Sequence, residues 1–346
     1  MKIKYTIKDI AKLAGVSKGT VDRVLHKRGK ISKEALDKVN LILEEIDYQP
    51  NLMARSLKSN KIFSISVLIP NPSMDPYWDP CLEGVLDAKK EYIPFNISIE
   101  TFYFNPESTA SFLEANEFIL SKNPDAVLLV PLFFKETLTV VQKYKASKIP
   151  VATFNNQLHS DSISSFVGQD LIQSGRVAAK LLDAVLKKGN IAVIHINEVF
   201  KNAIHMQEKE KGFRDYFKEL KDSNYKIITC KLNHPNFEKI LTDFMQEHPS
   251  ISGVFVTTSK AYQVAALIEK IYKNKITIIG YDLLDKNIKY LNEGVIDFLI
   301  NQNQKRQAYL GTTNLIEHFI FGKEISRKIL LPIDIINSEN AKYYTS

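Results

Sequence analysis

The sequence predicts an α/β chain in two parts: a small all-α helix-turn-helix unit, then two doubly wound α/β subdomains. Three observations predict it. Ala11, Gly15 and Val21 stand in the spacing A-x3-G-x5-V. The formal charge of +7 is confined to one end: through Lys61 there are 14 Lys and Arg against 7 Asp and Glu, and the remainder carries 32 of each. From Ile62 onward, short β-rich runs alternate with longer helical segments in two series, the pattern of parallel sheets with helices on both faces.

The N-terminal unit is read first. Thr6 and Asp9 form a Thr-x-x-Asp capping box that starts helix 1. Ile7, Ile10, Ala11 and Ala14 share one helical face. Ala11 lets a second helix approach, Gly15-Val16 makes the turn, and Ser17 caps helix 2, which runs to about His26. Val21, Val24 and Leu25 face inward, leaving Lys18, Gly19, Asp22 and Arg23 outward. Lys27-Arg28-Gly29-Lys30 is a basic turn suited to phosphate. Ser32 caps helix 3, whose Val39, Ile42, Leu43 and Ile46 close the core before Tyr48-Gln49-Pro50. Helix-turn-helix spacing, two capping signals and a local charge excess point to DNA.

These residues resemble the LacI/GalR family of bacterial repressors. The resemblance is carried by Thr6-Ile7-Lys8-Asp9-Ile10-Ala11-Lys12-Leu13-Ala14-Gly15-Val16-Ser17, Thr20-Val21-x-Arg23-Val24-Leu25 and Tyr48-x-Pro50-Asn51-x-x-Ala54-Arg55-Ser56-Leu57, without a gap. It implies that Lys18 and Gly19 choose operator bases and that Arg23 reads guanine, the commonest direct contact. Thr6, Ser17, Thr20, Lys27 and Arg28 complete the DNA-facing set. It implies that Asn51 to Asn60 forms a hinge helix on the operator, where Leu57 wedges into the minor groove. Such a wedge costs unstacking and gains a kinked, better-wrapped duplex. Ala54 permits close packing of two hinge helices, and Arg55 and Lys58 hold phosphates. Two positions depart from the family: Asp22 replaces a Ser and His26 an Asn. Asp22 beside phosphate would be repelled, so it is expected to orient Arg23 or Lys18, or to accept from a cytosine amino group.

In the body, strands are expected at Ile65–Ile69, Ile97–Phe102, Ala126–Val130 and Val151–Phe154, then at Ile191–Ile194, Lys226–Cys230, Val254–Val256 and Ile276–Tyr281. Helices fall between them, at about Pro80–Glu91, up to Ser121, Glu136–Ser147, Glu208–Leu220 and Phe237–Glu247. Ligands in such sheets bind beyond the C-terminal strand ends, and two facing subdomains make a cleft that can close. The expected organisation is residues 1–50 for the helical unit, 51–61 for the hinge and 62–346 for the core. The core divides into about 62–160 plus 300–325, and about 161–299 plus 326–346.

The body resembles the periplasmic binding-protein fold (type I) of the ribose-binding kind. Its landmarks include Leu68-Ile69-Pro70-Asn71-Pro72, Glu83-Gly84, Val167-Gly168-Gln169-Asp170, Lys211-Gly212-Phe213 and Ile279-Gly280-Tyr281-Asp282. The resemblance implies a ligand site at Asp75, Tyr77 and Trp78, where two aromatics stack on a sugar ring. It places Asn155 and Asn156 where the family has an Asp-Arg pair, Lys209 where it has Arg, and Thr258 where it has Asn. Asp282 and Gln302 keep the family types. A sugar or polyol is the leading ligand class, with another small polar molecule left open by the lost Asp-Arg pair.

Composition bounds the rest. Hydrophobic residues make up 45% of the chain, enough for a globular core, and no stretch approaches the roughly 20 apolar residues of a membrane span. Met1 to Tyr5 lacks a signal-like apolar region, so a cytoplasmic, nucleoid-associated protein is expected. Cys81 and Cys230 suggest neither disulfide nor metal. No cofactor is called for. There is no G-x-S-x-G, Walker A, H-E-x-x-H or G-x-G-x-x-G after a strand, and His195, His205 and His234 look isolated. The resulting expectation is a homodimeric regulator, a repressor, acting on a pseudopalindrome under control of a small-molecule effector. The alternatives are a small-molecule binding protein, or a sugar- or nucleoside-acting enzyme, with an appended DNA module.

Overall fold

The computed structural model describes residues 5–25, 29–46, 48, 61–187, 189–196, 204–220, 225–233, 235–272 and 275–344. Two compact units result, Met1–Lys58 and Ser59–Ser346.

The first unit holds α1 (Ile7–Leu13), α2 (Lys18–Leu25) and α3 (Lys33–Glu45). The capping box forms as expected: Thr6 N donates to Asp9 Oδ2 at 2.8 Å and Asp9 N to Thr6 Oγ1 at 3.3 Å. Two orphan amides are thereby satisfied. Gly15 takes φ +63°, a left-handed turn that costs a Cβ-bearing residue strain. Ser17 Oγ accepts from Thr20 N at 3.1 Å and opens α2, and Ser32 caps α3. Ile10, Ala11, Ala14, Val21, Val24 and Val39 form the buried core. The described part of α2 ends at Leu25.

The second unit contains two six-stranded sheets. Sheet one has the order β11-β5-β4-β3-β1-β2, with β1 (Phe63–Pro70), β2 (Ile97–Phe104), β3 (Ala126–Leu129), β4 (Val151–Phe154), β5 (Ser165–Gly168) and β11 (Lys328–Leu330), all parallel. Sheet two has the order β12-β10-β9-β8-β6-β7, with β6 (Gly189–Ile196), β7 (Tyr225–Leu232), β8 (Ile251–Val256), β9 (Thr277–Tyr281), β10 (Phe298–Asn301) and β12 (Asp334–Ile336). Among the described residues, β12 alone in that sheet runs antiparallel to its neighbour, β10.

Helices α4 (Asp79–Glu91), α5 (Thr109–Lys122), α6 (Phe134–Ala146) and α12 (Gln304–Phe321) serve the first sheet. Along β1, Ile65, Val67 and Ile69 pack with Val85 of α4 and Leu315 of α12, whereas Leu68 packs with Phe112 of α5 and Val140 of α6. That alternation is the strand period of two, buried on both faces. Helices α7 (Leu171–Val185), α8 (Ile204–Glu219), α9 (Phe237–Glu247), α10 (Ala261–Ile271) and α11 (Asp285–Asn292) serve the second. Close helix crossings depend on glycine. A Cβ on Gly84 of α4 would lie 2.1 Å from Lys305 O of α12, and one on Gly212 of α8 would lie 1.9 Å from Ile172 O of α7.

The subdomain limits differ from the expected ones. Ser165–Gly168 pairs with β4 and so stays in the first lobe, and Lys328–Leu330 returns there to pair with β5. The chain therefore crosses between lobes three times: between β5 and α7, between β10 and α12, and between β11 and β12. The sequence pattern marks no strand at β5, β10, β11 or β12, each only three or four residues long, although it reveals the equally short β3 and β4, which are continuous buried, mostly apolar runs.

Candidate functional site

In each sheet the chain reverses its winding direction at the strand next to one edge, β1 in the first and β6 in the second. Such switch points open a crevice at the C-terminal strand ends. Here the two crevices face one cavity of about 540 Å³, within the usual range for small-molecule sites.

The loop after β1 enters it as a short 3-10 helix, Pro76–Trp78. Asp75 caps that turn, its Oδ1 accepting from Tyr77 N at 3.1 Å. Tyr77 and Trp78 are buried and meet edge-to-face, with centroids 4.7 Å apart. Asn155, after β4, takes φ +71° and donates from Nδ2 to Tyr77 Oη at 2.5 Å. Gln302, at the second crossing, donates from Nε2 to Asp282 Oδ2 at 2.7 Å and to Tyr77 Oη at 3.4 Å.

Asp282 follows β9 at φ +68° and is fully buried. Burial pushes its pKa up to about 6, against the opposing pull of the Lys209 charge and of hydrogen bonds from Gln302 and Gln304. Lys209 on α8 is 2% exposed, and burial draws its pKa down to about 8 while Asp282 holds it up. Each charge thus favours the charged form of the other, while burial opposes both. Lys209 Nζ donates to Thr257 O at 3.1 Å and lies over the Tyr281 ring. At the mouth, Lys260 Nζ from the second lobe pairs with Asp75 Oδ2 of the first at 3.6 Å.

All nine residues expected to meet a ligand line this one cavity: Asp75, Tyr77, Trp78, Asn155, Asn156, Lys209, Thr258, Asp282 and Gln302. Sequence reasoning missed Glu107, Phe133, His205 and Lys260, which line it as well. Burial, with the nearby Lys209 charge, drives the His205 pKa down to about 3 and leaves the ring neutral. No spacing rule marks these four, because each sits in a loop or helix start of otherwise ordinary composition.

His195 is not isolated, contrary to the sequence reading. It is 1% exposed, with Nδ1 2.9 Å from Thr257 Oγ1 and Nε2 2.6 Å from Glu210 Oε2. Glu210 also accepts from Arg214 Nε at 2.7 Å and from Thr229 Oγ1 at 2.5 Å. This network lies behind the cleft wall and braces Thr257, the acceptor for Lys209. Its members are separated by up to 62 residues, so no local pattern reveals it.

In the first unit, Lys18, Gly19, Asp22 and Arg23 are exposed on α2, as are Thr6 and Ser17, while Thr20 is half-buried. His26, Lys27, Arg28, Asn51, Ala54, Arg55, Leu57 and Lys58 lie outside the described residues. Among the described residues no group of His, Cys, Asp and Glu is arranged to hold a metal, and no helix is long and apolar enough to cross a membrane.

Comparison with known proteins places both units. Residues 6–51 match the model of bacterial regulatory proteins of the lacI family, and residues 65–324 match a periplasmic binding protein domain. The ribose operon repressor of Halalkalibacterium halodurans is 26% identical over 282 residues, covering 80% of each chain. A Bacteroides fragilis structure described as a LacI transcriptional regulator superposes with TM-score 0.77 at 27% identity, covering 82% of this chain and 100% of that one. A glucose-galactose binding protein from Geobacillus stearothermophilus shares the fold at TM-score 0.71 and 20% identity, covering 81% and 99%. A relative from Lactococcus lactis, 27% identical over 290 residues and covering 80% of each chain, is likewise a ribose operon repressor. With a helix-turn-helix built as that family builds it, joined to a binding-protein core with a polar cleft, this chain belongs to the LacI family of bacterial regulatory proteins.

Proposed function

We propose that the protein is a cytoplasmic homodimeric repressor whose operator affinity is set by a sugar or polyol held in the cleft between the two lobes. The observation that carries this reading is the convergence of nine side chains from both lobes on one cavity. Two buried aromatics, a buried Asp-Lys pair and several amides suit a molecule with an apolar ring face and hydroxyls around it. In each subunit Lys18, Gly19 and Arg23 read bases in the major groove, and the two units span half-sites about one helical turn apart. Leu57, with Asn51, Ala54, Arg55 and Lys58 around it, wedges the minor groove between half-sites. A ligand that binds one lobe arrangement more tightly shifts operator affinity by that difference and by no more.

The test is retardation of DNA from upstream of the gene, with and without a sugar panel. A sugar should move the midpoint of the full chain. Deleting residues 1–60 should abolish retardation and keep sugar binding. A truncated chain that still retards the same DNA would refute the assignment.

A further inference from the structure

Tyr77 occupies an unusual place in the cleft. Its hydroxyl lies between two amides, 2.5 Å from Asn155 Nδ2 and 3.4 Å from Gln302 Nε2. Both side chains were expected in the ligand site. The second Gln302 amide proton goes to Asp282 Oδ2 at 2.7 Å, so that amide group has no proton left to offer. Asp282 is likewise engaged, accepting from Gln302 N at 3.1 Å.

The phenol is not a loose lid. Tyr77 is 7% exposed, packs within the first-lobe core, and rides on a turn fixed by the Asp75 cap. Its ring is held edge-on by Trp78. Displacing the hydroxyl would strand two buried amide donors, each costing roughly the penalty of a lost buried hydrogen bond. Asn156, Lys209, Thr258 and Lys260 on the other walls remain turned to the cavity.

We infer that Tyr77 is a specificity-determining residue: its hydroxyl stands in for one ligand hydroxyl, and the cleft selects a deoxysugar that lacks an oxygen at that ring position. This rests on the reading of the cleft as a sugar site. A sugar carrying that oxygen would collide with the phenol or would have to bind without the two amides.

The experiment titrates the full chain by calorimetry with aldoses and their singly deoxygenated counterparts, including D-ribose with 2-deoxy-D-ribose and D-galactose with 6-deoxy-D-galactose. The same panel is run on Tyr77→Phe, which removes one oxygen and keeps the ring. Wild type should favour one deoxy member over its parent. The variant, with both amides free to receive an oxygen, should shift that ratio toward the parent by at least about tenfold. A wild type that prefers the parent in every pair, or a ratio unchanged in Tyr77→Phe, overturns the inference while the sugar reading stands. Failure of every sugar to bind either protein overturns both. Should the variant melt before titration, the wild-type preference alone decides.

Discussion

Lys209 Nζ lies 3.5 Å from the centroid of the Tyr281 ring. The ammonium is buried, yet its hydrogen bond goes to a neutral carbonyl, that of Thr257. The ring face supplies part of the missing solvation, and the Asp282 charge supplies more. Among the described residues the ammonium meets this one hydrogen-bond acceptor, which leaves N–H groups for an oxygen arriving in the cleft. Lys209→Met keeps the apolar stem and removes that donor. Loss of a charged hydrogen bond costs about 1.5–3 kcal/mol, so affinity for the sugar that shifts operator binding should fall at least about tenfold by calorimetry. Unchanged affinity would make Lys209 a purely internal support.

Asp282 sets a pH dependence of stability. Its folded pKa, about 6, is raised above the ordinary aspartate value of 3.8, so the folded state holds the proton more tightly than the unfolded one. This contribution is fully present below pH 4 and is lost as pH rises through 6. Asp282→Asn removes it. The stability of wild type relative to Asp282→Asn should therefore fall between pH 4 and pH 6, by up to about 3 kcal/mol. Urea titrations of both proteins across that range measure it, and parallel pH profiles would contradict it.

Gly212 tests the helix crossing behind the cleft. Gly212→Ala drives a Cβ toward the backbone oxygen of Ile172, which cannot move without shifting α7. Overpacking of this kind costs typically about 1–3 kcal/mol, and here the upper end is expected. Chemical denaturation should show a lower midpoint, and an unchanged midpoint would mean that α7 and α8 separate freely.

Thr6→Ala tests the reading head by itself. The Thr6 side chain is exposed, but its hydroxyl accepts from Asp9 N in the first turn of α1, and such caps contribute about 1 kcal/mol. Amide exchange should quicken in α1 and its core partners and stay constant in the second unit, because the two units are separate compact bodies. Equal quickening in both units would show that they unfold together.

The helix-turn-helix was legible because its determinants are local. Thr6 with Asp9, Gly15 and Ser17 act over three or four residues, and each formed as expected. The alternating α/β pattern was also legible, down to long strands such as β1 and β6. The route of the chain between lobes was not, since Ser165–Gly168 is assigned by its pairing with β4 rather than by its own pattern. Within the cleft, the residues from Asp75 through Gln302 could be found through the resemblance to the binding-protein fold, which places them after strand ends. What they do to one another could not: Tyr77 meets Asn155 across 78 residues, and Lys260 reaches Asp75 from the opposite lobe.

The threefold passage of the chain between lobes also constrains how this molecule can be rebuilt. Any contiguous stretch long enough to contain one sheet includes parts of the other, because α12 and β11 of the first lobe lie between β10 and β12 of the second. The reading head ends before β1 begins and can be exchanged by recombination as a cassette. A lobe cannot: new ligand preferences have to arise residue by residue around an inherited hinge, while new operators can be acquired whole.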